Sequence, residues 1–433
     1  MDNRVQEIIE ALCRAAALQL RHFDTKIDLY VRKGRGIQNE RRQSAKSFGV
    51  EQALDVARLQ EFAAFRSVIE SDSVFQDGLR LAGAWGSANQ LAHHLLAVGA
   101  TVLRGRLRFD AQRVVDEFSR LRRMFTAKSF AWDVSVRITG LQMTIPAFEF
   151  DDGVSLRRLS MKEINSRMPA MNEFEYGDMK SLSIMALAHG RLSVRCEERF
   201  DSSESNPVLA AWQRAHEAAR APIDRVVDAL RLALTGSIGR SQPEIEVLSG
   251  GGHALIGHSV EPRGHAMILR KSGCERLTAA YDYVCERRDQ DEILRAAVRS
   301  YLDARGRAAV EDRVLFYAAA WEAIVQVTNG KWSPLETAFR FATHGAALLR
   351  RCGYPSVDTY EKLRHAYDAR SSIAHGNEKG LQRLVKGSRF ASLDDICAFL
   401  ECSFRDAFFY LLDLDAGDRP YKSKAGWPCL IFS

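Results

Sequence analysis

Arg370 and His375 are the residues of this 433-residue chain whose types and spacing point most directly to chemistry. Cleaving a phosphodiester without a metal needs three things: a base for the attacking hydroxyl, an acid for the leaving oxygen, and positive charge at the crowded phosphate. A histidine titrates near neutral pH and can serve either proton step, while a guanidinium meets phosphate oxygens in pairs and keeps its charge. Both lie in Tyr367-Asp368-Ala369-Arg370-Ser371-Ser372-Ile373-Ala374-His375-Gly376, where Ser371 stands ready to position a substrate. Glu322 is a further candidate. It sits among Ala318, Ala319, Ala323 and Val325, where a lone buried carboxylate would be costly unless it met a cation such as Arg370. The plainer readings are a helix end whose cations complement the dipole, and a glutamate on an exposed stripe.

These residues need helices to place them. Tyr360, Leu363 and Tyr367 recur at helical spacing ahead of Arg370, and Gly376 stands where a left-handed residue ends a helix, with Asn377-Glu378-Lys379-Gly380 read as the stop. Five residues turn a helix by ~500°, leaving Arg370 and His375 ~140° apart, so one helix does not aim both at one small target. Helices at roughly 307–328, 335–351, 357–375 and 393–413 form a bundle around the motif. Ser392 caps the last of them, Asp394 and Asp395 occupy its first turn, and Ile396, Leu400, Phe404, Phe408 and Leu411 line one face. The apolar tail Gly426-Trp427-Pro428-Cys429-Leu430-Ile431-Phe432 is expected to dock onto the protein or onto a partner subunit.

Upstream, Val5, Ile8, Ile9, Leu12, Leu18 and Leu20 read as a helix over 3–31, broken by Lys33-Gly34-Arg35-Gly36, with further helices at about 50–70, 87–98 and 110–127. His93 and His94 point ~100° apart on a helix and are read as core or surface residues, not as a metal pair. From Trp132 the period changes to two: Val134, Val136 and Ile138 alternate, Asp151-Asp152-Gly153 forms a hairpin turn into Val154-Ser155-Leu156, and Leu192–Cys196 is another strand. A helix from Pro207 to Leu234 follows, then short strands at Glu244–Leu248 and Ala254–Ile256 around Gly250-Gly251-Gly252. His253, His258 and His265 match no zinc spacing, and no Lys-Ser/Thr follows the glycines, so a turn between strands is the reading there. The fold class is therefore α+β, mostly α. It comprises a basic helical region over 1–130, a β-rich module with a helix over 131–270, and a helical bundle with a C-terminal tail over 271–433.

Composition narrows the classes. Apolar residues at 46% and charged residues at 27% are those of a globular protein. No basic-then-apolar leader opens the chain, and no apolar run approaches the ~20 residues that span a bilayer, so a cytoplasmic protein without membrane contact is expected. Eight scattered cysteines without a Cys-x-x-Cys pair fit reduced thiols and support neither a disulfide framework nor a structural metal. The net charge of +6 resides in residues 1–130, which carry 21 Lys and Arg against 15 Asp and Glu. One cluster is Arg32, Lys33, Arg35, Arg41, Arg42 and Lys46; the other runs from Arg104 to Lys128. They read either as phosphate-facing surfaces for nucleic acid or as a solvated helix face and a basic loop.

The Arg370–His375 stretch resembles the "Tyr-Asp-x-Arg-Ser-x-x-x-His-Gly" signature of the Apea-like branch of the HEPN superfamily. Asp152-Gly153-Val154-Ser155-Leu156-Arg157-Arg158-Leu159, Ala229-Leu230-Arg231-Leu232, Glu311-Asp312-Arg313, Trp321-Glu322-Ala323-Ile324 and Ala338-Phe339-Arg340-Phe341-Ala342 are similar to other segments of such proteins. The likeness spans roughly 130–413; Trp321 stands where many relatives have Leu. It implies a HEPN-type bundle and a metal-independent endoribonuclease without cofactor, a toxin or effector of bacterial anti-phage defence answering a phage-derived trigger. It further implies a homodimer through the C-terminal bundle, with two Arg-x4-His motifs lining one cleft. His375 would then be general acid/base, Arg370 the transition-state clamp held by Glu322, and Ser371 a substrate contact. Arg32, Lys33, Arg35, Arg41, Arg42 and Arg364 would bind the RNA, whether transfer, ribosomal or messenger, and residues 1–130 would sense the trigger, bind RNA or restrain the site. The alternative is a non-catalytic RNA- or nucleotide-binding dimeric module of the same kind.

Overall fold

The computed structural model describes residues 3–19, 43–44, 55–81, 87–103, 106–127, 129–151, 153–158, 189–199, 207–236, 238–240, 244–246, 266–287, 291–325, 334–387, 390–423 and 425–432. Over these the protein is mostly helical with a few short strands, as the α+β, mostly α reading expects. No helix among the described residues is long and apolar enough to cross a membrane. The chain divides into two compact units, Met1–Ile223 with Gly239–Glu261, and Asp224–Ile238 with Pro262–Ser433.

The first unit opens with α1 (Asn3–Gln19), whose Ile9, Leu12, Cys13 and Ala16 are buried at helical spacing; the rest of the helix expected over 3–31 lies outside the described residues. Helices α2 (Gln60–Ser71), α3 (Ser73–Leu81) and α4 (Ala88–Gly99) follow, α4 capped by the Ser87 hydroxyl accepting from the Gln90 N–H. The chain then makes a hairpin, β2 (Ala100–Leu103) with β3 (Arg106–Phe109), extended by β1 (Gln43–Ser44). This hairpin was not expected in a helical region. Its signal is the alternation of Arg106-Leu107-Arg108-Phe109 beside a β-branched pair, Thr101-Val102, too short to stand out between two helices. Helix α5 (Ala111–Ala127) closes the group, and Phe65, Phe75, Phe118 and Phe125 form its aromatic core, with Phe75 and Phe118 centroids 4.6 Å apart.

The sheet of this unit is antiparallel. β4 (Ser129–Thr139), β5 (Leu141–Met143), β6 (Ala147–Glu149), β7 (Val154–Arg158) and β8 (His189–Arg199) come first; after helix α6 (Pro207–Ala233) come β9 (Gly239–Arg240) and β10 (Glu244–Glu246). The strand order is β10-β4-β8-β7-β6, with β9 also paired to β4. β4 and β8 run in register from Ser129 opposite Arg199 to Thr139 opposite His189. Val134, Val136 and Ile138 are buried as their alternation requires. The expected hairpin turn is present, with Gly153 at φ 77°. The division between the units falls inside α6, one residue past Pro222.

The second unit holds α7 (Cys274–Asp282), which continues into a single π-helical turn at Tyr283–Arg287, then α8 (Glu292–Gly306), α9 (Val310–Val325), α10 (Pro334–Arg351) and α11 (Ser356–Ala374). It ends with α12 (Glu378–Gly387), α13 (Leu393–Asp413) and α14 (Gly426–Phe432). Helix α9 touches α8, α10, α11 and α13, so it is the centre of the bundle. Its Trp321 is fully buried, donates its indole N–H to the Leu400 carbonyl at 3.4 Å and stands edge-on to Phe404. Tyr301 stacks on the other side of the cluster, 4.8 Å from Phe404. Beside it the Arg305 guanidinium bonds Glu401, which also accepts from the Tyr317 hydroxyl at 3.1 Å.

Two carboxylate clusters tie distant parts of this unit. Asp291 caps α8 by accepting from the Leu294 N–H at 3.2 Å. Its other oxygen takes the Arg419 guanidinium and the Tyr421 hydroxyl (3.0 Å), and Lys422 lies 3.1 Å away. Burial alone would raise the Asp291 carboxyl, but these donors together hold it below the usual carboxylate range. The C-terminal tail docks on its own unit: Trp427 stacks flat on His344 at 4.4 Å, and Arg350 donates to the Leu430 carbonyl at 3.0 Å. The His344 Nδ1 bonds the Val325 carbonyl at 2.7 Å and so carries the proton, while burial lowers the affinity of the ring for a second one.

Candidate functional site

Helix α11 carries the motif, and its placement follows from close packing. Gly345 of α10 lets Leu363 approach so nearly that a Cβ there would lie 2.6 Å from a Leu363 methyl. One turn further along, Tyr367 meets Phe341 with centroids 5.2 Å apart. Thr359, Leu363, Ala366 and Ala369 are the buried residues of α11, and they set which way every other residue points.

Arg370 lies on the inward side. Its guanidinium makes a two-point pair with Glu322 of α9, Nε to Oε1 at 3.2 Å and Nη2 to Oε2 at 3.3 Å. The Glu322 side chain is 16% exposed and that of Arg370 32%. The Arg370 guanidinium also lies 5.8 Å from the centre of the Tyr367 ring. Burial raises the Glu322 carboxyl above its ordinary range, and Arg370 opposes that shift without cancelling it. Burial likewise raises the Tyr367 phenol, with the Glu322 charge adding to it. A bidentate guanidinium fixed in this way is aimed and short of free rotation, the state in which it can clamp an oxyanion.

His375 is elsewhere. It is the C-cap of α11, exposed, with φ −98° and ψ 6°. The helix closes in a Schellman arrangement: the Gly376 N–H donates to Ile373 at 3.1 Å and the Asn377 N–H to Ser372 at 2.8 Å, with Gly376 at φ 63°. The glycine therefore ends the helix as its position predicts. The expected stop over Asn377–Gly380 is corrected: the chain begins α12 at Glu378, because the Asn377 side chain accepts from the Gly380 N–H at 2.9 Å and caps a new helix. Ser371 is half-buried and accepts the His375 N–H through its carbonyl at 3.1 Å.

The motif is thus split. Arg370 turns toward α9, and His375, ~140° around the axis, turns to solvent. Arg364 and Ser371 fall on the His375 side of the helix, since seven or eleven residues return to within ~20° and four to within ~40°. Arg364 is exposed there. Tyr367, absent from the candidates read in the sequence, has the Arg370 guanidinium 5.8 Å from its ring centre and lies in the field of the Glu322 charge; its place one turn before Arg370 was the available signal.

Arg32, Lys33, Arg35, Arg41 and Arg42 lie outside the described residues, as do His253, His258 and His265. The second basic cluster is partly neutralised. Arg120 grips the buried Glu117 through two bonds of 2.8 Å, and Arg122 pairs with Asp72 at 2.9 Å. His94, 4% exposed, bonds the same Glu117 at 3.0 Å, so it is a core histidine. Among the described residues no three His, Cys, Asp or Glu side chains gather as a metal site would require. Compared with known proteins, the chain matches no family model, no curated protein and no solved structure.

Proposed function

We propose that the protein is a metal-independent endoribonuclease of the HEPN type, a cytoplasmic toxin or effector of bacterial anti-phage defence that answers a phage-derived trigger. The observation that carries this reading is the Glu322–Arg370 pair: a fixed guanidinium five residues ahead of the histidine end of one helix in a helical bundle. The RNA 2′-OH attacks its own phosphorus, giving 2′,3′-cyclic phosphate and 5′-OH ends. His375 moves the protons, Arg370 stabilises the crowded phosphate, and Ser371 holds the substrate. Because Arg370 and His375 face apart on one helix, two copies pair through the C-terminal bundle so that both motifs line one cleft. Arg364, with the basic segment Arg32, Lys33, Arg35, Arg41 and Arg42, adds salt-sensitive affinity for transfer, ribosomal or messenger RNA.

The test is to incubate total RNA with the protein in EDTA and map the ends. The wild type is expected to produce cyclic phosphate and 5′-OH termini, and His375→Ala to lose cleavage by about 100-fold or more. Cleavage unchanged in that variant would remove the assignment. One observation favours a second reading: Arg370 is already occupied by Glu322 and turned from His375, as in a non-catalytic RNA- or nucleotide-binding dimer. That reading predicts salt-sensitive retention of RNA with no new ends.

A further inference from the structure

We propose that Asp368 is the general base of this reaction and works with His375 of the same protomer, on an outward stripe of α11 formed by Arg364, Asp368, Ser371 and His375. The inference rests on the ribonuclease reading above and deepens it. Asp368 and His375 are seven residues apart, which on an α-helix is ~20° around the axis and ~10.5 Å along it. Ser371 lies between them on the same stripe, and Arg364 one turn beyond Asp368. A phosphate seated over Ser371 therefore has a carboxylate on one side and an imidazole on the other, both from one rigid helix.

No other candidate carboxylate meets that condition. Glu322 is bound to Arg370 on the inward side of α11. Among the described residues Asp368 forms no ion pair, and the charges that bear on it are Arg364 and His365 of its own helix, with none from the helices packed on α11. It is half-buried. That burial raises its carboxyl and makes it a stronger base, while Arg364 and His365 oppose the shift and favour the ionised form a base needs. The plain alternative is a surface partner for Arg364 at a spacing of four.

The step balances within the stripe. The Asp368 carboxylate takes the 2′-OH proton as the O2′–P bond forms. The P–O5′ bond breaks as the His375 imidazolium gives its proton to O5′. Water then returns the proton from Asp368 to His375, and both groups regain their starting forms.

The experiment compares wild type, Asp368→Asn and Asp368→Glu on total RNA in EDTA across pH, with thermal melting of each. Asp368→Asn is expected to melt as wild type does, to lose about 100-fold or more in kcat, and to lose the acid limb of the pH–rate profile. Asp368→Glu, which keeps the carboxylate, is expected to restore part of the rate and the limb. Undiminished cleavage by Asp368→Asn overturns the inference while leaving the ribonuclease reading in place. So does a slower Asp368→Asn that keeps the acid limb. A wild type that cuts no RNA overturns both.

Discussion

Two carboxylates of the second unit each meet an arginine, and they differ in everything else. Asp291 is 2% exposed and accepts from Arg419, Tyr421, Lys422 and the Leu294 N–H, so its carboxyl lies below the usual range although burial pushes it up. Among the described residues Glu322 has Arg370 alone, and burial prevails, so its carboxyl lies above the usual range. The number of donors decides the sign: one guanidinium does not repay the desolvation of both ions, whereas four donors do. A group held below its usual range is committed to its charge and serves structure. A group left above it keeps an unfavourable charge next to a guanidinium.

Breaking the stronger site should have the larger effect. Asp291→Asn strands Arg419 in the interior and is expected to destabilise by about 3–5 kcal/mol, read from urea unfolding. The sign with pH follows from the lowered carboxyl. Its stabilisation is present above the unfolded value and is lost as pH falls through the folded one. The gap between wild type and Asp291→Asn should therefore close below about pH 4. A gap that persists at low pH would break the comparison.

Arg370→Met leaves Glu322 without its cation, but both side chains retain some solvent, so about 1–3 kcal/mol is expected from the same measurement. Glu322→Gln should be the mildest, within about 1 kcal/mol, since it removes a charge whose burial is unfavourable. Here the sign reverses. A raised carboxyl stabilises below the unfolded value, and that contribution is lost as pH rises through the folded one. Glu322→Gln should thus gain on wild type as pH rises above about 4 through the raised folded value. A variant that falls further behind over this range would place Glu322 with Asp291.

Much of this arrangement was legible in the residues. The four bundle helices, the Ser392 cap, the left-handed Gly376 and the docking of the tail are local or periodic signals, and each is where its pattern points. The Glu322–Arg370 contact was also readable, because a carboxylate in an apolar helix needs a partner and few cations share its depth. The β2–β3 hairpin was not, since a pair of four-residue strands cannot outweigh flanking helical periodicity. The new helix after Gly376 was missed for a different reason. Asn377 serves both as the residue after one stop and as the cap of the next start, and glycine three residues on reads as continued loop. The Asp291 cluster was invisible because its members are separated by 128 and 130 positions and have no shared pattern.

That separation bears on the order in which the molecule is made. During synthesis α8 emerges with its capping carboxylate, yet Arg419, Tyr421 and Lys422 follow only after the rest of the bundle has been translated. Until they arrive, Asp291 can bond one backbone N–H and otherwise stays hydrated, so α8 has no reason to bury its first turn. Closing so long a loop is slow compared with forming helices, which makes this contact a late event in folding. The bundle that holds Arg370 and His375 is therefore locked late, by a segment that lies beyond all of its catalytic candidates and is followed only by the docked tail around Trp427.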